Sequence, residues 1–506
     1  MEGDFLFSGR SILKNTILLT AASVLLRLIS MLFQAYLAAR IGASGVGTVQ
    51  LVLSVISFAL TIGLSGSRVA AMSLCAAAHG AHDADAVRRA LDACLGHVLM
   101  TSGLAAAALF FFAPQLAAHV LHAPQFAPCL RLGAGLLPVS CASLVLGGYF
   151  TATGQVGRLT AIDACERVVC LGLTMLLLGL CGSGNTGACF ALIGGDLLAC
   201  SAATALLFVL SRRTGREAAP DPAVRRRVWR TALPLAFSDA LRAALRMADD
   251  LLIPWGLARF GLTQEAAMAA YGTVTGMVFP VLMFPSALLY ALIDLLIPEL
   301  AACRAQNRRA RLRSVTAQCL RAGLLFGSFT AGLLFVLAPQ TALLLFGSVA
   351  AGRLLRVFAP LALMLYMDAL VDGMLKGLSE QAATARYNTL TSALDVALLF
   401  LLLPRFGLRG YIAAFFATHA VNFALSLRRL VLASGCRPEA APVLRTALCA
   451  AAACAGACCL PVPDAALPAL MLRAAVYAGA WTLLSVCSGT LETCLPPSLR
   501  RPDSVA

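Results

Sequence analysis

Charge is scarce in this sequence. Only 12% of its 506 residues are Asp, Glu, Lys or Arg, against roughly 25% in soluble globular domains. So little charge cannot cover a large water-facing surface, which argues against a soluble catalytic domain. The chain also lacks a GxxxxGK[ST] phosphate loop and an HExxH helix motif, and its loops are too short to hold a nucleotide-binding domain. ATP-driven transport by this chain alone is not expected. No two of the 18 cysteines stand at CxxC spacing, so no metal ribbon is indicated. Most lie inside apolar runs, among them Cys165, Cys170, Cys189, Cys200, Cys449 and Cys454, where a thiol acts as a small apolar filler. The adjacent Cys458 and Cys459 are read as packing too. The first apolar run is too long for a cleaved signal peptide and has no convincing small-residue cleavage site.

What is abundant is apolar surface: 60% hydrophobic residues and a mean hydropathy of +0.85. In lipid every backbone N–H and C=O must find a partner within the protein, which leaves helices or closed barrels. The apolar runs are about 20 residues long rather than alternating strands of about ten, and that length fits membrane-spanning helices. The expected fold is an all-α polytopic membrane protein with about fourteen spans. They cover 12–39, 46–67, 91–113, 131–152, 160–181, 187–210, 231–257, 267–299, 317–338, 354–377, 383–403, 409–430, 441–460 and 466–488. The eighth is long, and Pro280 and Pro285 are expected to break or bend it.

Two longer loops are rich in arginine. One carries Arg212, Arg213, Arg216, Arg225, Arg226, Arg227 and Arg230, the other Arg304, Arg308, Arg309, Arg311 and Arg313. Both fall on the same alternating side, with most of the other loop arginines. By the positive-inside rule that side, with the N-terminus, is cytoplasmic. The net charge of +15 therefore reflects topology, and no nucleic-acid partner is implied. Contact of these loops with anionic membrane lipids is a secondary reading.

The basic stretch 211–230 separates two groups of six spans. Gly47-Thr48-Val49 opens the second span and Gly272-Thr273-Val274 lies early in the eighth, an echo consistent with a parallel repeat. The expected organisation is an N-terminal lobe at 1–210, a linker at 211–230, a C-terminal lobe at 231–430, and two additional helices with a tail at 431–506.

Ionisable residues inside spans cost roughly 2.5–3.5 kcal/mol each on insertion scales and usually face a cavity or one another. Arg27 lies near the middle of span one, with Gln34 two turns on, and span two ends in Ser65-Gly66-Ser67-Arg68. Span seven is the most charged. Arg242, Arg246 and Asp250 share one helical face at i, i+4, i+8, and Asp239 and Asp249 stand three residues either side of the arginine pair. This is either a self-neutralised ladder or the wall of a polar cavity whose arginines meet an anionic substrate; a planar guanidinium suits phosphate. Asp163, Glu166 and Arg167 lie near the start of span five and can snorkel to the interface. Asp368, Asp372 and Lys376 form another single-face series in span ten. Asp395 lies in mid-span without a charge partner in its own helix; it is protonated, paired with another helix, or a cation ligand. His419 and Arg473 are weaker signals, and a single histidine on an apolar helix is more often a packing residue.

Several segments resemble one family. They are SILKNTILLTAASVLLRLISMLFQAYLAARIGASGVGTVQ (11–50), AYGTVTGMVFPVLMFPSALLYALIDLLIPEL (270–300), RMADDLLIP (246–254) and PRFGLRGYIAA (404–414). Together they are similar to the lipid-linked oligosaccharide and polysaccharide flippases, whose superfamily includes the multidrug and toxic-compound extrusion transporters. The resemblance is nearest to members serving spore cortex peptidoglycan, and it covers about 8–430.

It implies two six-helix lobes around a cavity and alternating-access translocation of a polyprenyl-pyrophosphate-linked saccharide. A polymerase that consumes the product is an implied partner. Arg27 matches the first cavity arginine of such flippases. Phe33 stands where a second is expected, Gln34 where an acidic residue often sits, and span eight has no mid-span arginine. Arg68, Arg242 and Arg246, with Asp249 and Asp250 beside them, are the available substitutes for a substrate site. Some members bind sodium through spans seven and eleven, where Asp239 and Asp395 stand, so Na+ or H+ is the implied coupling ion; no other cofactor is. The alternative within the superfamily is a cation-coupled multidrug exporter, expected to have an acidic or neutral cavity. A membrane-embedded transferase is disfavoured, because the outer loops are short and poor in acidic and histidine residues.

Overall fold

The computed structural model describes residues 4–182, 184–212, 221–436, 440–459 and 467–490, with side chains placed from residue 24 onward. The described residues are almost all helical and contain no strand. Helix α1 (Asp4–Leu64) holds both the first and second spans, and is interrupted only at Gly42, at φ 70° and ψ 174°. Then come α2 (Ser67–Gly80), α3 (Ala84–Gln115), α4 (Ala127–Ala152), α5 (Val156–Cys181), α6 (Asn185–Arg212) and α7 (Pro222–Phe260). The eighth span is in pieces: α8 (Gln264–Gly272), a π-turn at Thr273–Val278, α9 (Phe279–Met283) and α10 (Ser286–Ala305). The rest of the chain is α11 (Arg309–Phe346), α12 (Val349–Gly377), α13 (Gln381–Phe406), α14 (Leu408–Ser434), α15 (Ala440–Cys458) and α16 (Leu467–Cys487).

Twelve helical stretches among the described residues are long and apolar enough to cross a bilayer. The charged helices α5 and α7, of 26 and 39 residues, also exceed the ~20 residues a span requires. The fourteen expected spans are helical where described, apart from turns at Ser65–Gly66, at Phe284–Pro285 and at the ends of the last two. One boundary is corrected. The helix of span two does not end at Arg68: it breaks at Ser65 and Gly66, both at positive φ, and resumes as α2 to Gly80. Gly66 is needed there for two reasons. Its φ is +67°, and an added Cβ would stand 2.6 Å from the Ala232 carbonyl oxygen on α7, so a side chain would meet both strain and a collision.

The chain separates into two compact units. The first is Arg40–Ala258 with Leu262–Ala269; the second is Met1–Ala39, Arg259–Gly261 and Ala270–Ala506. These boundaries differ from the six-span halves at 1–210 and 231–430. The start of α1 belongs to the unit of α10–α16, and most of α7 to the unit of α2–α6. Part of the basic linker, 213–220, lies outside the described residues.

The core of the first unit joins α2, α3, α4, α6 and α7 through small residues, Ala70, Ala71, Ala90 and Ala232, and larger ones, Leu91, Leu146, Tyr149 and Phe150. Cys75, Cys94 and Cys141 fill it as thiols. Small residues let helix backbones approach where lipid gives no hydrophobic drive to associate. Cys189, Cys200 and Cys449 are buried as expected, but Cys165, Cys458 and Cys459 are exposed: their helix faces turn outward, so they are not core filler.

In the second unit, α12 packs against α10, α11 and α14. The two additional helices dock on α11 through Val336, Ala453, Ala457, Tyr477 and Trp481. The Tyr477 hydroxyl donates to the Phe329 carbonyl at 3.0 Å, satisfying a phenol that would be costly to bury alone. Replacing Tyr477 with Ala is expected to remove about 3–5 kcal/mol of stability and lower the thermal unfolding temperature of the purified protein. An unchanged temperature would show that this docking does not limit stability.

Candidate functional site

The predicted site residues divide between the units. Arg27, Gln34 and Asp395 belong to the second; Arg68, Asp239, Arg242, Arg246, Asp249 and Asp250 belong to the first.

In the first unit the α7 series is partly neutralised. Arg242 pairs with Asp239 one turn away, as its i, i+3 spacing predicts. Asp250 accepts a hydrogen bond from Ser54 on α1 at 2.6 Å. The second intrahelical pair is absent: Arg246 is exposed while Asp249 is half-buried, and no ion pair joins them. Arg246 has no ion-pair or hydrogen-bond partner among the described residues, so its donors are open. Arg68 is exposed on α2 just beyond the helix break, near enough to Asp163 on α5 for their charges to interact.

Further polar groups escaped the sequence reading. Asp196 on α6 interacts electrostatically with Arg167 and accepts a weak bond from the Cys170 thiol at 3.8 Å. It draws the charges of α5 into contacts with α6, where snorkelling alone was expected. Ser67 shares a 2.8 Å hydrogen bond with Nδ1 of His97, and that ring meets Trp229 edge-on at 4.5 Å. Arg88 is 4% exposed; it donates to the Ser211 carbonyl at 3.0 Å and pairs with Asp92, which also binds Arg212. The burial of Arg88 follows from its partners on α6, which one-dimensional hydropathy does not register.

In the second unit Arg27 is exposed, and its Nη1 donates to the Ser286 hydroxyl at 3.1 Å. The Tyr290 ring lies beneath the guanidinium, 5.2 Å from Cζ to centroid. Gln34 has a buried side-chain oxygen with no hydrogen-bond partner among the described residues.

A second polar arrangement in this unit runs along α12, α13 and α14. Asn422 donates to Asp368 at 2.8 Å and accepts from Thr391 at 3.1 Å. Asp372 receives Asn388 at 3.3 Å and Ser426 at 3.2 Å. The Thr418 hydroxyl on the next helix lies 3.1 Å from the Asp395 carboxylate, with the Ala414 and Phe415 carbonyls also within its reach at 3.0 and 3.2 Å. Near the shared end of these helices Glu380 binds Arg429 at 2.6 Å and Arg304 at 3.6 Å. Asp368 and Asp372 were legible as a single-face series and Asp395 as a mid-span charge, but the amides and hydroxyls were not. The signal was available: 388, 391 and 395 share one face of α13, and 418, 422 and 426 share one face of α14. Among the described residues no group of three or more His, Cys, Asp or Glu is placed to hold a metal ion. The oxygen donors at Asp395 and Thr418 still match the preference of a hard alkali cation.

The comparisons with known proteins agree with this architecture. A family model described as polysaccharide biosynthesis protein matches residues 12–286, more than half of the chain. Stage V sporulation protein B of Bacillus subtilis (strain 168) is 25% identical over 424 residues, covering 79% of this chain and 80% of that protein. The inward closed conformation of the lipid II flippase MurJ superposes with a TM-score of 0.71 over 94% of this chain and 99% of that one, at 10% identity. An inward-facing multidrug resistance MATE transporter of the MOP superfamily gives 0.58 over 81% and 99%, at 16% identity.

This multi-pass helical membrane protein has the fold of the solved MurJ and MATE structures. The chain belongs to the polysaccharide biosynthesis protein family.

Proposed function

We propose that the protein is a flippase, moving a polyprenyl-pyrophosphate-linked oligosaccharide or peptidoglycan precursor across the membrane by alternating access. The observation that carries this reading is Arg27, an in-span guanidinium held by Ser286 and Tyr290 with further N–H donors open. A pyrophosphate is what such donors fit best, since two of them can bond parallel phosphate oxygens. Arg246, an in-span guanidinium of the first unit with open donors among the described residues, is proposed to meet an anionic group within its own unit; Arg68 and the paired Arg242 follow it. The sugar and pyrophosphate need a polar route, while the lipid tail stays in the bilayer. On this reading the arginine-rich ends and the N-terminus face the cytoplasm, and the delivered precursor feeds a glycosyl polymerase on the other side.

Coupling is assigned to the second unit. Asp395 with Thr418 is proposed to hold the coupling ion, Na+ or H+, with Asp368 and Asp372 beyond it. Asp239 is committed to Arg242, which supports a structural role for it in place of cation binding. The same carboxylates favour, as a second reading, a cation-coupled exporter of cationic drugs.

Binding to the purified protein separates the two. Undecaprenyl pyrophosphate is expected to bind at least tenfold more tightly than undecaprenol, with inorganic pyrophosphate competing weakly. Tight binding of tetraphenylphosphonium, with no preference for the pyrophosphate, would favour the exporter.

A further inference from the structure

We propose that Ser286 and Tyr290 are positioning residues for Arg27, fixing its guanidinium plane so that its free N–H donors meet a pyrophosphate-type headgroup. The inference rests on the headgroup reading above and adds the part played by the broken eighth span. From Gln264 to Leu300 that span contains no Arg or Lys, so it brings no cation of its own to an anionic ligand. It supplies instead a hydroxyl and an aromatic ring four residues apart, on one face of α10.

The hydroxyl has a fixed direction. Pro285 has no N–H, and the helix breaks at Phe284–Pro285, loosening the regular backbone ladder there. Two side chains serve the carbonyls of the preceding turn. Ser286 donates to Met283 at 2.7 Å, and the buried Tyr366 hydroxyl on α12 donates to Leu282. With its only proton given to Met283, the fully buried Ser286 oxygen can only accept from Arg27. That bond ties the guanidinium to a rigid point on the backbone. The guanidinium carbon lies over the Tyr290 ring, and this cation–π contact narrows the positions the guanidinium can take. A single Nη1 donor is used by Ser286, leaving the remaining donors of the five for a phosphate fork.

The test is a double-mutant cycle on the purified full chain, reading the Kd for undecaprenyl pyrophosphate. Tyr290 is 39% exposed, so its replacement should leave the thermal unfolding temperature unchanged. Tyr290→Leu is expected to raise Kd about 3–5-fold, within the range of a partly exposed cation–π contact. Tyr290→Phe, which keeps the ring, should bind as the parent does. In an Arg27→Ala background Tyr290→Leu should have no further effect, because its action runs through the arginine. Ser286→Ala should behave like Tyr290→Leu, and Ser286→Thr should restore binding. Equal losses from Tyr290→Leu in both backgrounds, or no loss in the parent while Arg27→Ala binds weakly, would overturn the positioning role alone. Unchanged binding by Arg27→Ala would overturn the headgroup reading and this inference with it.

Discussion

Replacing Arg27 with Ala is expected to weaken binding of a pyrophosphate lipid by about 10–100-fold and to reduce translocation at least as much. The magnitude follows from the interactions lost. A hydrogen bond to a charged group contributes about 1.5–3 kcal/mol, and each 1.4 kcal/mol is a factor of ten in affinity. Arg27 is exposed and its described contacts are a single hydroxyl and a ring face, so the loss should come from the ligand and leave folding intact. Arg27→Lys distinguishes charge from geometry. An ammonium keeps the charge but lacks the planar fork and stacks less well on Tyr290. Lys should therefore recover only part of the affinity, most visibly at low salt, where an exposed point charge is least screened. Full affinity in Arg27→Ala would remove the arginine from the site.

Asp395→Asn is expected to uncouple transport from the cation gradient, with at least a tenfold loss of gradient-driven accumulation and little change in substrate affinity. The amide is nearly isosteric and can still accept the bond from Thr418, which spans 3.1 Å in the parent protein. Packing and the α13–α14 contact are thereby kept while the negative charge is removed. A purely structural carboxylate would tolerate the change, because its hydrogen-bond partner is a neutral hydroxyl. A residue that takes up H+ would not, since an amide has no proton to gain at neutral pH, and one that holds Na+ would lose the negative charge that neutralises the ion. Asp368→Asn and Asp372→Asn are graded comparisons: both carboxylates already receive amide donors, so an introduced amide must reorient, and loss of stability will accompany loss of coupling. Unaltered gradient dependence in Asp395→Asn would detach this residue from coupling and leave it a helix-packing group.

The spans were legible because they depend on composition over about 20 residues, and lipid tolerates no other backbone solution. The prolines of the eighth span and the Asp239–Arg242 pair were legible for the same local reasons, a missing N–H and an i, i+3 spacing. What stayed hidden was long-range. Ser286 lies 259 residues from Arg27, and nothing around either residue announces the other. The continuation of span two through α2 was missed because Ser65 and Gly66 read as a helix end, whereas α7 supplies a surface on which the helix resumes. Asp196, Asn388 and Asn422 were passed over singly, since only the approach of neighbouring helices turns them into networks. In a membrane protein the lipid-facing residues are as apolar as the core, so hydropathy finds the helices without saying which faces meet. Span-level architecture is thus written in the sequence, while the pairing that builds a site appears only once the helices are packed.

The most direct test of the central claim is headgroup translocation in proteoliposomes. The purified chain would be reconstituted with a fluorescent undecaprenyl-pyrophosphate disaccharide, and the headgroup reaching the opposite leaflet followed by a membrane-impermeant quencher. The account predicts protein-dependent translocation that Arg27→Ala reduces at least tenfold and that a cation gradient accelerates. Translocation no faster than in protein-free vesicles, in preparations that accumulate tetraphenylphosphonium against its gradient, would contradict it.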